Sequence, residues 1–172
     1  MKRLAVRFGI IGVVVAIGAI VGMRQDKVLD YNDLVVNLHN ESEAQFSGYT
    51  NLMGDWYDGQ TIDMAVIRQE LTLLEQAHQD AYEQLHAVEV PDHDECRTLQ
   101  ASLEEYLDMD KEFIVAYRTV TDYIDQHNPG AETDFLYVSA ILDPISEEQS
   151  AILERVQANQ HAMAKKFDFE IR

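Results

Sequence analysis

Two Glu-x-x-His steps carry the clearest chemical spacing in the chain, Glu75-Gln76-Ala77-His78 and Glu83-Gln84-Leu85-His86. Residues three apart share a helix face, and a carboxylate and an imidazole so placed form half of a carboxylate-bridged di-iron site. The full site needs such a step on two different helices and a glutamate from each of two more. Both steps here fall on one helical segment, so di-iron chemistry is not expected. A second set takes its histidines from separate segments: His39, His78 and His161. With antiparallel segments turning near residues 59, 90 and 130, these three fall in one layer. Zinc or copper would find nitrogen ligands there, with Glu41 or Glu75 as a carboxylate. The competing reading makes His78 a hydrogen-bonded core histidine and leaves His39 and His161 on the surface.

Nothing else in the sequence assembles a catalytic group. Cys96 is the single cysteine, which excludes an internal disulfide, a thiolate zinc cage, an iron–sulfur cluster and c-type haem. The polar run His93-Asp94-Glu95 beside it opens a helix, where acidic side chains complement the helix dipole. No serine or cysteine has an identifiable base partner and no glycine-rich phosphate loop is present, so the chain reads as a non-enzyme without a resident cofactor. Met23, Met53, Met64, Met109 and Met163 read as core filler. Asp110 interrupts an otherwise apolar seam, and a buried carboxylate needs a partner. A turn near residue 90 would bring Arg68 within half a turn of it, so a buried Asp110–Arg68 ion pair is expected.

The elements that must position these residues are helices. Beyond Lys27 the apolar residues recur at steps of three and four, with almost no strand-like alternation. A first seam runs Val28, Tyr31, Val35, Leu38, Phe46, Tyr49, Leu52, Trp56 and ends near Gly59. Thr61 is placed to cap the second helix, whose seam runs from Met64 through Ile67, Leu71, Leu74, Ala81 and Leu85 to a stop at Pro91. Asp92 is placed to cap the third, a long helix closed by Asn128-Pro129-Gly130. A short segment, Phe135 to Leu142, precedes Asp143-Pro144, a cap and first-turn proline for a fourth helix with Ile145, Ile152, Val156, Met163 and Phe167 inward. The expected fold class is all-α, an up-down-up-down antiparallel four-helix bundle over residues 24–166, with an extended tail at 167–172. Tyr31-Asn32-Asp33-Leu34-Val35 after an apolar span resembles the start of the LemA family of membrane-anchored helical proteins. The arginine-rich stretch expected next is replaced by Gly48 to Gly59, so the family is not assigned.

Residues 1–23 follow different rules. Lys2, Arg3 and Arg7 precede Phe8 to Met23, sixteen uncharged residues in a row, and Leu4 to Met23 is long enough for a single transmembrane helix. The absence of an Ala-x-Ala site before Arg24 favours a retained signal-anchor over a cleaved signal. The positive-inside rule puts the N-terminus in the cytoplasm and the bundle on the periplasmic side of the inner membrane. Gly9, Gly12, Ala16 and Ala19 make one narrow face of small residues, and Gly18 and Gly22 add a GxxxG pair, the pattern that lets membrane helices approach closely. The whole chain carries a formal charge of −18, so nucleic acid is excluded as a partner and anionic lipid surfaces repel the bundle. These features point to an accessory or scaffold subunit of a membrane complex. Its partners would be the lipid bilayer and either a membrane protein subunit or a second copy, met through the span. The alternatives are a periplasmic ligand-sensing bundle, binding at Tyr49, Trp56 and Tyr57 or in the interior, and a metal-binding bundle.

Overall fold

The computed structural model describes residues 26–131 and 133–169, apart from the side chains of Asp26, His39, Ser42 and Glu43. The expected span, with Gly9, Gly12, Ala16, Ala19, Gly18 and Gly22, lies outside the described residues. Among those residues there are four helices and no strand: α1 (Asp26–Tyr57), α2 (Met64–Ala87), α3 (Asp94–Gln126) and α4 (Asp134–Phe167). None of them is long and apolar enough to cross a membrane.

Consecutive helices run antiparallel and pack on one another, and α1 also touches α3 and α4. The seams read from the sequence are the buried faces. Tyr31, Val35, Leu38, Tyr49 and Trp56 on α1, Ile67, Leu71, Leu74 and Leu85 on α2, and Leu99, Leu103, Phe113, Tyr117, Val120 and Ile124 on α3 are all buried. They form two apolar clusters. One, around Trp56, Tyr117 and Val138, fills the end that carries the connections 58–63 and 127–133, here called the tip. The other, around Val28, Leu99, Leu103 and Met163, fills the base, where α1 begins and α4 ends.

The helix boundaries differ from expectation in three places. Asp63, not Thr61, caps α2, its carboxylate accepting from the Ala65 N–H at 2.9 Å. Asp92 does not cap α3, because it is drawn into an ion pair with Arg97 at 2.6 Å. The short segment before Asp143-Pro144 is not separate, since α4 runs through Pro144 without a break. Proline there removes the bond that the Ala140 carbonyl would accept and costs roughly 3 kcal/mol in a helix interior. Val138 and Leu142 before it and Ile152 and Val156 after it are all buried, and their joint burial outweighs that cost.

Two ends are closed by backbone geometry. At Gly59, φ is +79°, and the N–H groups of Gln60 and Gly59 return to the carbonyls of Asp55 and Trp56, each at 3.0 Å. That is a Schellman closure of α1, and glycine takes the left-handed position at no steric cost. The tail expected to be extended from Phe167 stays helical through that residue. Asp168 then adopts the left-handed conformation, and the Phe169 N–H reaches Ala164 O at 3.1 Å.

The connection from α2 to α3 is the least hairpin-like. Val88 and His93 are both extended, and Val88 and Val90 pack against the base cluster. His86, near the end of α2, faces Glu104, ten residues into α3. The start of α3 therefore overhangs the end of α2, with Gln100 Nε2 still reaching the Leu85 carbonyl at 3.3 Å. Residues 88–93 form a strap beside that overhang, bent at its end where the His93 N–H returns to the Pro91 carbonyl at 2.7 Å.

Candidate functional site

Of the expected three-histidine layer, His78 and His161 stand at different levels of the bundle. His78 sits against the part of α3 around Asp108 and Lys111, the charged groups whose fields it feels. His161 is exposed on α4, whose contacts with α3 run Met163 to Cys96 and Lys166 to Glu95, so it lies level with Leu99. From Leu99 to Lys111 is roughly 18 Å of helix. The side chain of His39 lies outside the described part. Among the described residues no group of three or more histidines, cysteines and acids is placed to hold a metal ion. The physical reason is the strap: a tight turn at 90 would have set His78 opposite position 102, and the overhang slides it toward the tip.

His78 itself is half-buried, and its Nδ1 is buried without a hydrogen-bond partner. Burial first, and then the Lys111 ammonium, hold its imidazole below the usual histidine range. The neutral ring is the form that fits.

The same displacement undoes the expected ion pair. Arg68 is salt-bridged to Asp125 at 2.7 Å, with both side chains about half exposed. Asp110 is fifteen residues earlier on α3, roughly 22 Å away. Asp110 is fully buried, as the interrupted seam implied, and receives a hydrogen bond from Gln149 Nε2 of α4 at 2.8 Å. A partner from α4 was legible, since α3 and α4 keep the register of a turn near 130.

Asp110 belongs to a set of polar cross-links inside the apolar clusters. Gln160 Nε2 donates to Asn32 Oδ1 at 2.9 Å between two residues that are each at most 5% exposed. Tyr31 Oη donates to Gln100 Oε1 at 2.7 Å. The Tyr49 hydroxyl reaches both the Tyr117 carbonyl at 2.9 Å and Thr121 Oγ1 at 2.8 Å, and the two tyrosine rings stack with centroids 4.3 Å apart. Burial raises the hydroxyls of Tyr31, Tyr49 and Tyr117 far above the ordinary tyrosine range. They stay protonated and act as fixed hydrogen-bonding groups, not as acids or bases.

The tip is tied together by contacts between its two connections. Trp56 is fully buried, donates Nε1 to the His127 carbonyl at 2.7 Å, and carries the Gly130 backbone so closely that a Cβ there would stand 2.6 Å from its ring. Asn128 spans the two connections, accepting from the Ile62 N–H at 2.8 Å and donating to the Ile62 carbonyl at 2.6 Å. Tyr57 and Phe135 meet edge to face at 4.5 Å. The aromatic group expected as a ligand site is thus packed by the protein itself at Tyr49 and Trp56.

Outside this packing lies an exposed aromatic ledge. Tyr137 stacks on Tyr123 at 4.2 Å, and Tyr123 on the His127 ring at 4.0 Å. Tyr123 Oη donates to Asp134 Oδ1 at 2.8 Å, and Asp134 Oδ2 accepts from the Ala131 N–H at 2.7 Å. The Ala131 hydrogen bond first, and then that of Tyr123, hold the Asp134 carboxyl below its usual range. Leu136 is 75% exposed and Tyr137 45% exposed beside this stack. Sequence reading did not single out the ledge, although Phe135-Leu136-Tyr137 is three large apolar residues in a row, more than one helix face can bury.

Compared with known proteins, the chain matches no family model, no curated protein and no solved structure, so the five-residue likeness at Tyr31 carries no family assignment.

Proposed function

We propose that the chain is a membrane-anchored accessory or scaffold subunit. Its span packs in the inner membrane against another subunit or a second copy, and its helices form a periplasmic four-helix bundle that works through protein contacts. The observation carrying this reading is the junction at the start of α1. The apolar run ends at Met23, and in sequence only Arg24 and Gln25 separate it from Asp26, the first described residue of α1. A partner gripped by the small-residue face would be held directly below the bundle's base. The polar groups inside the bundle support a structural role, because they bond one another across helices and leave the core fixed.

The test is extraction and co-purification. The full chain should stay with membranes through carbonate, with its C-terminus open to modification from the periplasmic side. Gly12→Leu with Ala16→Leu should leave insertion unchanged and release the partner or dimer. Release of the wild-type chain by carbonate refutes anchoring, and unchanged co-purification of the double variant refutes the packing face.

A further inference from the structure

We propose that the ledge at the tip, formed by Leu136, Tyr137 and Tyr123, is the docking surface for a basic segment of a partner protein, with arginine or lysine flanking one large apolar side chain. The inference deepens the scaffold reading and rests on it.

The ledge presents apolar area where area is rare. Leu136 and Tyr137 are the two most solvent-open large apolar residues of α4, and they are neighbours. The stack is fixed before any partner arrives. Tyr137 lies on Tyr123, which is held by its ring contact with His127 and its hydrogen bond to Asp134. A rigid aromatic surface loses little side-chain freedom on binding, which favours contact there.

Charge selects the occupant. Residues 119–154 contain eight acidic side chains and no lysine or arginine. The two arginines nearest in the fold are already engaged on the flank of α3 that faces α2, Arg68 with Asp125 and Arg118 with Glu75. The ledge is on the other flank, facing α4, where the basic group beside its Asp134 is the His127 imidazole and residues 119–154 supply no lysine or arginine. A second copy of this chain would bring acid onto acid, and a nucleic acid or an anionic lipid would do the same. A guanidinium over the open face of Tyr137 gains a cation–π contact and nearby carboxylates together, while an apolar side chain covers Leu136.

The experiment uses the full chain in mild detergent micelles and three synthetic peptides of equal length: alternating arginine and leucine, alternating lysine and serine, and alternating glutamate and leucine. Binding is read by isothermal titration and by nuclear magnetic resonance shifts of the Tyr137 amide. The arginine–leucine peptide should bind saturably, the glutamate–leucine peptide should not, and the lysine–serine peptide should bind at least tenfold more weakly. Leu136→Ser with Tyr137→Ser should weaken the arginine–leucine peptide at least tenfold, while Tyr137→Phe, which keeps the stack, should leave it unchanged. Both positions are exposed, and unchanged melting curves will show that the variants are folded. No saturable binding, equal binding of the lysine–serine peptide, or an unaffected double serine variant overturns the proposal. Failure of the scaffold reading is read separately: if the Leu136/Tyr137 variant keeps its partners in native membranes while the Gly12/Ala16 variant loses them, only the ledge is refuted.

Discussion

Replacing Asn128 with alanine should loosen the tip without disturbing the base. The side chain makes two hydrogen bonds to one residue, to the N–H and the carbonyl of Ile62, at 2.8 and 2.6 Å. Each is worth about 1 kcal/mol net, and a buried backbone group left unpaired costs about 1–3 kcal/mol. Ile62 is 6% exposed, so water replaces the lost partners poorly and the loss should be about 2–4 kcal/mol. For a chain of this size that is a fall of about 5–15 °C in melting temperature. Two readouts localise the effect in the full chain in mild detergent. Far-ultraviolet circular dichroism follows all the helices, while the fluorescence of Trp56, the single tryptophan, follows the tip alone. Trp56 is bonded to the His127 carbonyl next to Asn128, so its emission should shift to the red before the helices melt. Asn128→Asp keeps an acceptor for the Ile62 N–H but turns a carboxylate oxygen toward the Ile62 carbonyl, and should be no better than alanine. A melting temperature within about 1 °C of wild type for both variants would refute the reasoning.

Four further outcomes follow from the structure. The folded state holds His78 below its unfolded range, so the unfolded chain takes up the proton first. Stability should be full above about pH 6.5 and fall as pH drops below it, and His78→Gln should flatten that fall in melts at matched pH values. Gly54→Ala adds a methyl where nothing lies within 4 Å in a helix interior, and should raise stability by about 1 kcal/mol in thermal melts. Gly130→Ala meets the buried Trp56 ring and should lower the melting temperature and shift Trp56 emission together. Asp63→Ala removes the cap of α2 and should cost about 1 kcal/mol, whereas Thr61→Ala should leave the melting temperature unchanged.

The buried faces were legible because a three-four rhythm names a helix stripe whatever packs on it. Tyr31, Tyr49, Leu74, Leu99 and Ile124 could be placed inside from spacing alone. Asp110 could be placed inside for the same reason, by its neighbours on the seam. Its partner was sought on α2 instead of α4, and the α2–α3 register that failed depends on whether Val88 to His93 makes a turn or a strap. Both readings are consistent with a proline at 91, and the packing of Val88 and Val90 on the base cluster decides between them. Pro144 misled for a related reason: a local start signal was overridden by burial on both sides of it. The ledge was hidden because seam reading looks for what is buried, and Leu136 is conspicuous only once Val138 is known to face inward.

The two ends of the molecule are fastened by different means, and this sets the order in which it opens. At the tip, hydrogen bonds between connections join the α1–α2 loop to the end of α3, so no helix end there can fray alone. At the base, Val28, the strap and Phe169 pack on the apolar cluster, and side chains rather than connections bridge the helices, Gln100 to the Leu85 carbonyl and Lys166 to Glu95. Amide protons in the distal halves of α1 and α3 should therefore exchange only through global unfolding. Those near Cys96 and Leu99 should exchange by lifting of the strap, a smaller and cheaper excursion. The protein is then two cooperative units along one set of helices, with its most persistent structure at the tip.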